Sequence, residues 1–117
     1  MTKAYLIDSK ARQITEVEIN GLDDMQRAVG GELGKVCVEM VVFNGLPQDL
    51  VLVDGDAHAR DNPLDYGFVA GNSPLAGNDV IVGNGLVFGR DDEGGEFQAP
   101  VISLEGLRRI ISWVQIV

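Results

Sequence analysis

Glycine recurs every six residues through VAGNSPLAGNDVIVGNGLVFGRDD (69–92), at Gly71, Gly77, Gly83 and Gly89, and Gly95 continues the count. An aliphatic residue stands two places before each of the first four: Val69, Leu75, Ile81 and Val87. That period admits a solenoid of hexapeptide turns, a phosphate-cradling loop, or short strands joined by turns. A solenoid places Ser73, Asp79, Gly85 and Asp91 at its small inward position, and two buried aspartates without partners are costly. Four hexads make little more than one coil, whereas stacked repeats need about three units. A G-x-G-x-x-G loop from Gly83 meets Phe88 where its third glycine belongs, and no helical pattern follows to present an N-terminus to an anion. Turn chemistry remains. Asn84-Gly85 between DVIVG and LVFG predicts a hairpin with a type I′ turn, which wants positive φ at both central positions. GNSPLAG (71–77) reads as the loop entering it and 91–95 as the loop leaving it, so the glycines are mostly punctuation.

The flanking segments supply the rest of an α+β chain. KAYLID (3–8) and QITEVEI (13–19) alternate and are joined by the polar SKAR, an opening hairpin. In the second arm Thr15, Val17 and Ile19 share one face, while Glu16 and Glu18 mark the other as wet. After Asn20-Gly21 the period changes: Leu22, Met25, Ala28 and Val29 lie at helical spacing, Asp23 and Asp24 suit the N-terminal dipole, and Gly30-Gly31 ends the helix. KVCVEMVVF (35–43) is almost continuously apolar and is the candidate central strand, with Val36, Val38, Met40 and Val42 on its buried face and Cys37 as a packing residue. Asn44–Pro47 turns the chain into DLVLV (49–53), its hairpin partner. Residues 54–65 read as a loop and Tyr66–Ala70 as a short strand. Ser103 caps a second short helix, LEGLRRII, and SWVQIV (112–117) returns as a strand able to close the sheet. The expected order is β-β-α-β-β-β-β-β-α-β in one domain over 1–117: mostly antiparallel sheet built from hairpins, with two short helices.

Composition narrows the function classes. With 45% hydrophobic residues, the 117-residue chain has the material of a folded domain and no window of about 18 apolar residues for a membrane span. The N-terminus lacks a signal-peptide pattern, and one cysteine excludes an internal disulfide, so a cytoplasmic location is expected, without membrane association. Eighteen acidic against nine basic residues, net −9, oppose direct nucleic-acid binding, which runs on neutralisation by Lys and Arg. The same charge suits a basic protein partner, a nucleic-acid mimic, or plain solubility.

Few residues carry specific chemistry. Asp54, Asp56, His58, Asn62 and Asp65 fall at offsets 1, 3, 5, 9 and 12 of a calcium loop, but Ala59 replaces the glycine of the sharp turn and the flanks are strand-like. A polar loop of Asx-turns explains the same residues, so no metal is assigned. No H-E-x-x-H, G-x-S-x-G or C-x-x-C is present, and no catalytic residue or cofactor is assigned. Ligand-binding candidates are Asp54, Asp56, His58 and Arg60 in one loop, Asn72 in the next, and Arg108, whose place near a helix end the dipole also explains. Trp113, Val114, Ile116 and Val117 form an apolar end. Alternation hides only one face of that strand, so these residues are the expected homodimer interface.

The opening KAYLIDSKARQITEVEI, the helix ending AVGG, PLAGNDVIVG with its acidic-glycine turn RDDEGGE, and ISLEGLRRII together resemble small uncharacterised proteins encoded by phages, prophages and plasmids. The resemblance implies the company of mobile elements, whose small acidic proteins often bind and neutralise host defence factors. It carries no site residues with it. Three readings follow: a non-catalytic accessory or counter-defence protein acting by protein binding, a small-ligand (nucleotide) binder or sequestering protein using the 54–65 and 71–77 loops, and a metal-dependent enzyme using the Asp-rich loop.

Overall fold

The computed structural model describes residues 2–41, 49–57, 65–70, 80–89 and 97–115. Its elements are β1 (Thr2–Asp8), β2 (Gln13–Ile19), α1 (Leu22–Gly30), a 3-10 turn (Gly31–Leu33), β3 (Val38–Val41), β4 (Asp49–Asp54), β5 (Tyr66–Ala70), β6 (Ile81–Val82), β7 (Gly85–Gly89), α2 (Leu104–Ile110) and β8 (Ile111–Gln115). The fold is α+β with antiparallel pairing throughout, in the element order expected from the sequence.

The strands make two sheets, one of five strands in the order β2-β1-β7-β4-β3 and one of three in the order β6-β5-β8. Side-chain alternation divides the larger sheet's residues between two cores. Ala4, Leu52, Leu86 and Phe88 pack with Val29 of α1, whereas Tyr5, Ile7, Ile14, Val51, Val53 and Val87 pack with Phe68 and Ala70 of the smaller sheet and Leu107 of α2. The wet face expected for β2 holds for Glu16 and Glu18, but Ile14, at the same parity, is buried in the second core.

Two expectations are overturned. The 35–43 run is not central: β3 is an edge strand, Glu39 and Met40 are exposed, and Val42 and Phe43 lie outside the described residues. Val36 is buried beneath α1 before the strand begins, Val38 is half-buried, and Cys37 is exposed. The central strand is β7, all five of whose residues are buried. An apolar run shows only that a strand has hydrophobic side chains. The covering layers decide which strand is enclosed, and here α1 covers one face of GLVFG and the smaller sheet the other.

The Asn84-Gly85 hairpin is also absent, because β6 belongs to the smaller sheet and β7 to the larger. Neither Asn84 nor Gly85 takes the positive φ of a type I′ turn; Gly83 does, at 85°. Asn84 works as a buried clip instead. Its Oδ1 accepts from the Ser9 backbone N–H at 3.1 Å and its Nδ2 donates to the Ala28 carbonyl at 3.2 Å. The Ser9 hydroxyl in turn donates to the Gly83 carbonyl. Gly85 is required by close packing rather than by a turn, since a Cβ there would stand 2.6 Å from Cζ of the fully buried Phe68. Gly71, Gly77 and Gly95 lie outside the described residues.

Helix signals were more faithful guides. Gly31, at φ 55°, follows α1, and the Asp24 carboxylate reaches back to accept the Asn20 N–H at 2.8 Å. Ser103 Oγ accepts the Gly106 N–H at 3.0 Å, as an N-cap does. A buried carboxylate delivers α2 to its place. Asp49 accepts the Val101 and Ile102 N–H groups at 2.8 and 3.0 Å, just after Gln98 has bridged to Gly89. No helix among the described residues is long and apolar enough to cross a membrane.

At the β1–β2 turn a polar network joins the layers. Glu32 accepts from Lys10 Nζ at 2.6 Å and from the Tyr66 hydroxyl at 2.7 Å. These bonds, the Lys10 contact first, hold the Glu32 carboxyl below its ordinary value of 4.5. Desolvation, then the Glu32 carboxylate, pushes the Tyr66 phenol well above its usual range. A depressed carboxylate stabilises the fold fully above its unfolded value and loses that contribution as pH falls through the folded one. Melting temperature is therefore expected to drop below pH 4.5. Glu32→Gln should lower it at neutral pH and flatten this part of the acid limb. An unchanged acid limb in the variant would assign the drop to other carboxylates.

Candidate functional site

A cleft of about 400 Å³ opens where β2, α2 and β8 meet, lined by Arg12, Gln13, Ile14, Thr15, Arg108 and Trp113. Its size falls within the range of roughly 300–1,000 Å³ usual for small-molecule sites. Each wall has a local cause. Arg12 ends the β1–β2 turn in the left-handed region, φ 54°, and so leads directly into the edge strand β2. Arg108 lies in the last turn of α2, and its guanidinium donates to the Ile14 carbonyl at 3.0 Å. That bond spans 94 residues of sequence and orients the guanidinium along β2. Trp113 comes from β8, which starts where α2 ends: the Ile111 N–H still bonds the Leu107 carbonyl. The ring is half-buried, packed against the core that contains Phe68 and Leu107.

The electrostatics of the cleft run against those of the chain. Net charge is −9, yet the lining contains two guanidinium groups and no carboxylate. Among the described residues the ion pairs are made by Lys3, Lys10, Lys35 and Arg109, whereas Arg12, Arg27 and Arg108 pair with no described carboxylate, and two of these three lie in the cleft wall. Two arginines beside an indole, a glutamine amide and a threonine hydroxyl suit an anion that also carries a flat surface. None of the lining groups is placed as a nucleophile with an adjacent base.

Of the residues singled out in the sequence, the structure brings together Arg108 and Trp113, from the ligand set and the interface set respectively. Val114 follows on β8, half-buried, while Ile116 and Val117 lie outside the described residues. Asp54 and Asp56 sit at the end of β4, and Asp54 Oδ1 accepts the Asp56 N–H at 3.0 Å, an Asx-turn. His58, Arg60 and Asn72 also lie outside the described residues, as does most of the Asp-rich loop. Among the described residues no three of His, Cys, Asp and Glu gather as a metal site would need. Arg12, Gln13 and Thr15 escaped the sequence reading. Arg12 is one of two basic residues in a four-residue hairpin turn, and nothing in that spacing links it to a helix almost a hundred residues later.

The family model for DUF3846, a domain of unknown function, matches residues 1–104. The chain belongs to the DUF3846 family. The matched region includes the Arg12–Thr15 wall of the cleft and stops at the first residue of α2, so Arg108 and Trp113 lie beyond the DUF3846 match. No curated protein and no solved structure matches the chain.

Proposed function

We propose that this protein is a non-catalytic binding protein that captures a small anionic ligand in the cleft between β2, α2 and β8. The observation that carries this reading is the pair of guanidinium groups, Arg12 and Arg108, unpaired with any described carboxylate in the wall of a cleft on a strongly acidic chain. Guanidinium forks bind phosphate and carboxylate oxygens bidentately and hold their charge at every physiological pH. The acidic surface of the rest of the chain repels polyanions, which favours a compact ligand over a polymer. Counter-defence by protein binding rests on overall charge and on the resemblance to mobile-element proteins. The cleft is the more specific feature.

Inorganic pyrophosphate is a suitable first probe. A ligand that binds only the native state raises the melting temperature by mass action. Pyrophosphate in low-salt buffer should do so saturably, and Arg12→Ala and Arg108→Ala should each abolish most of the rise. A melting temperature indifferent to pyrophosphate, and equally to citrate and sulfate, would refute anion capture.

A further inference from the structure

We infer that the anion taken by this cleft is a nucleoside monophosphate, with its base stacked on the Trp113 indole and its phosphate held by Arg12 and Arg108. The inference rests on the binding reading above and deepens it. Trp113 is held by the core that includes Phe68, so its ring is a preformed platform in the cleft wall. Aromatic platforms of this kind accept nucleobases without strong preference among them, because every base has a π-face. Arg108 spends one Nη on the Ile14 carbonyl at 3.0 Å and keeps the other donors of its fork for a ligand. Gln13 and Thr15, in the same wall, offer both donors and acceptors for ribose hydroxyls or base edges.

Size and charge select a single nucleotide. A volume of about 400 Å³ is of a size that takes one nucleoside phosphate. Two guanidiniums match the charge of one phosphate dianion, whereas a net charge of −9 opposes an oligonucleotide. An acidic peptide would satisfy the arginines without requiring the indole.

The chain has one tryptophan, so its fluorescence reports this cleft alone. Titration of the full chain with AMP, GMP, CMP and UMP should quench that fluorescence saturably. Adenosine, without the phosphate, should bind about tenfold or more weakly, and Arg12→Ala and Arg108→Ala should each cost a similar factor. Arg109→Ala, which removes an exposed partner of Glu105 outside the cleft, should leave the quench unchanged. Melting curves on each variant confirm that it folds, and Arg12→Ala, in a surface turn, keeps the test open should Arg108→Ala fail to do so. Stabilisation by pyrophosphate without quenching by any nucleotide would overturn the nucleotide assignment and leave anion capture standing. Tighter binding of a thymidine oligonucleotide than of the monophosphates would overturn it in favour of nucleic acid. Indifference to pyrophosphate and nucleotides alike would remove both readings.

Discussion

Val87→Asp should abolish the cooperative unfolding transition, whereas Met40→Asp should leave it nearly where it was. Val87 lies at the middle of β7, opposite Tyr5 on β1 and Val51 on β4, and is completely buried. It belongs to the core shared with Phe68 and Ala70 of the smaller sheet. Among its core neighbours Tyr5, Ile7, Ile14, Val51, Val53 and Phe68 there is no cation to receive a carboxylate. Desolvating an unpaired carboxylate there costs several kcal/mol, against a total stability of about 5–15 kcal/mol. Met40 lies on the edge strand β3 and is 54% exposed, so an aspartate there remains in water and should change stability by no more than about 0.5 kcal/mol. Thermal melts of the two variants beside the parent decide the matter. A Val87→Asp protein that melts like the parent would show that β7 is not the enclosed strand. An unfolded Met40→Asp protein would restore the 35–43 run to the centre of the sheet.

Asp49→Ala is expected to lower stability by about 3–5 kcal/mol. The side chain is 2% exposed and accepts two backbone N–H groups, from Val101 and Ile102, immediately before the Ser103 cap of α2. Hydrogen bonds to a charged acceptor contribute about 1.5–3 kcal/mol each, and removing the acceptor leaves two donors without a partner. For a domain of this size the corresponding fall in melting temperature is on the order of 10–20 °C. Asp49→Asn keeps the volume and one acceptor oxygen but points an amide N–H at the second donor, so it should recover only part of the loss. Asp49 also sets where α2 lies, and α2 carries Arg108. A folded Asp49→Asn protein should therefore bind pyrophosphate more weakly although residue 49 does not line the cleft. An Asp49→Ala protein within about 0.5 kcal/mol of the parent would show that residues 97–103 are held by other contacts.

Local chemistry made most of the elements readable in the sequence. The alternation in 3–8 and 13–19 placed β1 and β2, because strand side chains have a period of two whatever they pack against. Ser103, Gly31 and the helical spacing of Leu22, Met25, Ala28 and Val29 marked the helices for equally local reasons: an end needs an acceptor for its free N–H groups or a residue able to leave the helical region. Within the described residues the expected order of eight strands and two helices holds, although β6 and β7 were read from a hairpin that does not form.

What the tertiary structure decided was how these elements share water and neighbours. The apolar run at 35–43 could not reveal that β3 would lie at an edge, since burial depends on which layers cover a strand. Asn84-Gly85 carried every mark of a turn, yet the Asn84 amide found partners in the β1–β2 turn and on α1, and Gly85 let the Phe68 ring approach β7. The cleft follows the same rule. Arg108 and Trp113 were visible as a ligand-binding candidate and an interface candidate, but Arg12 became their neighbour only when the Ile14 carbonyl and the Arg108 guanidinium met across 94 residues. Propensity, capping and alternation act over a few residues and are written in the chain. The long-range pairings that build a site are selected by the fit of whole faces to one another, and no short stretch of sequence contains both sides of that fit.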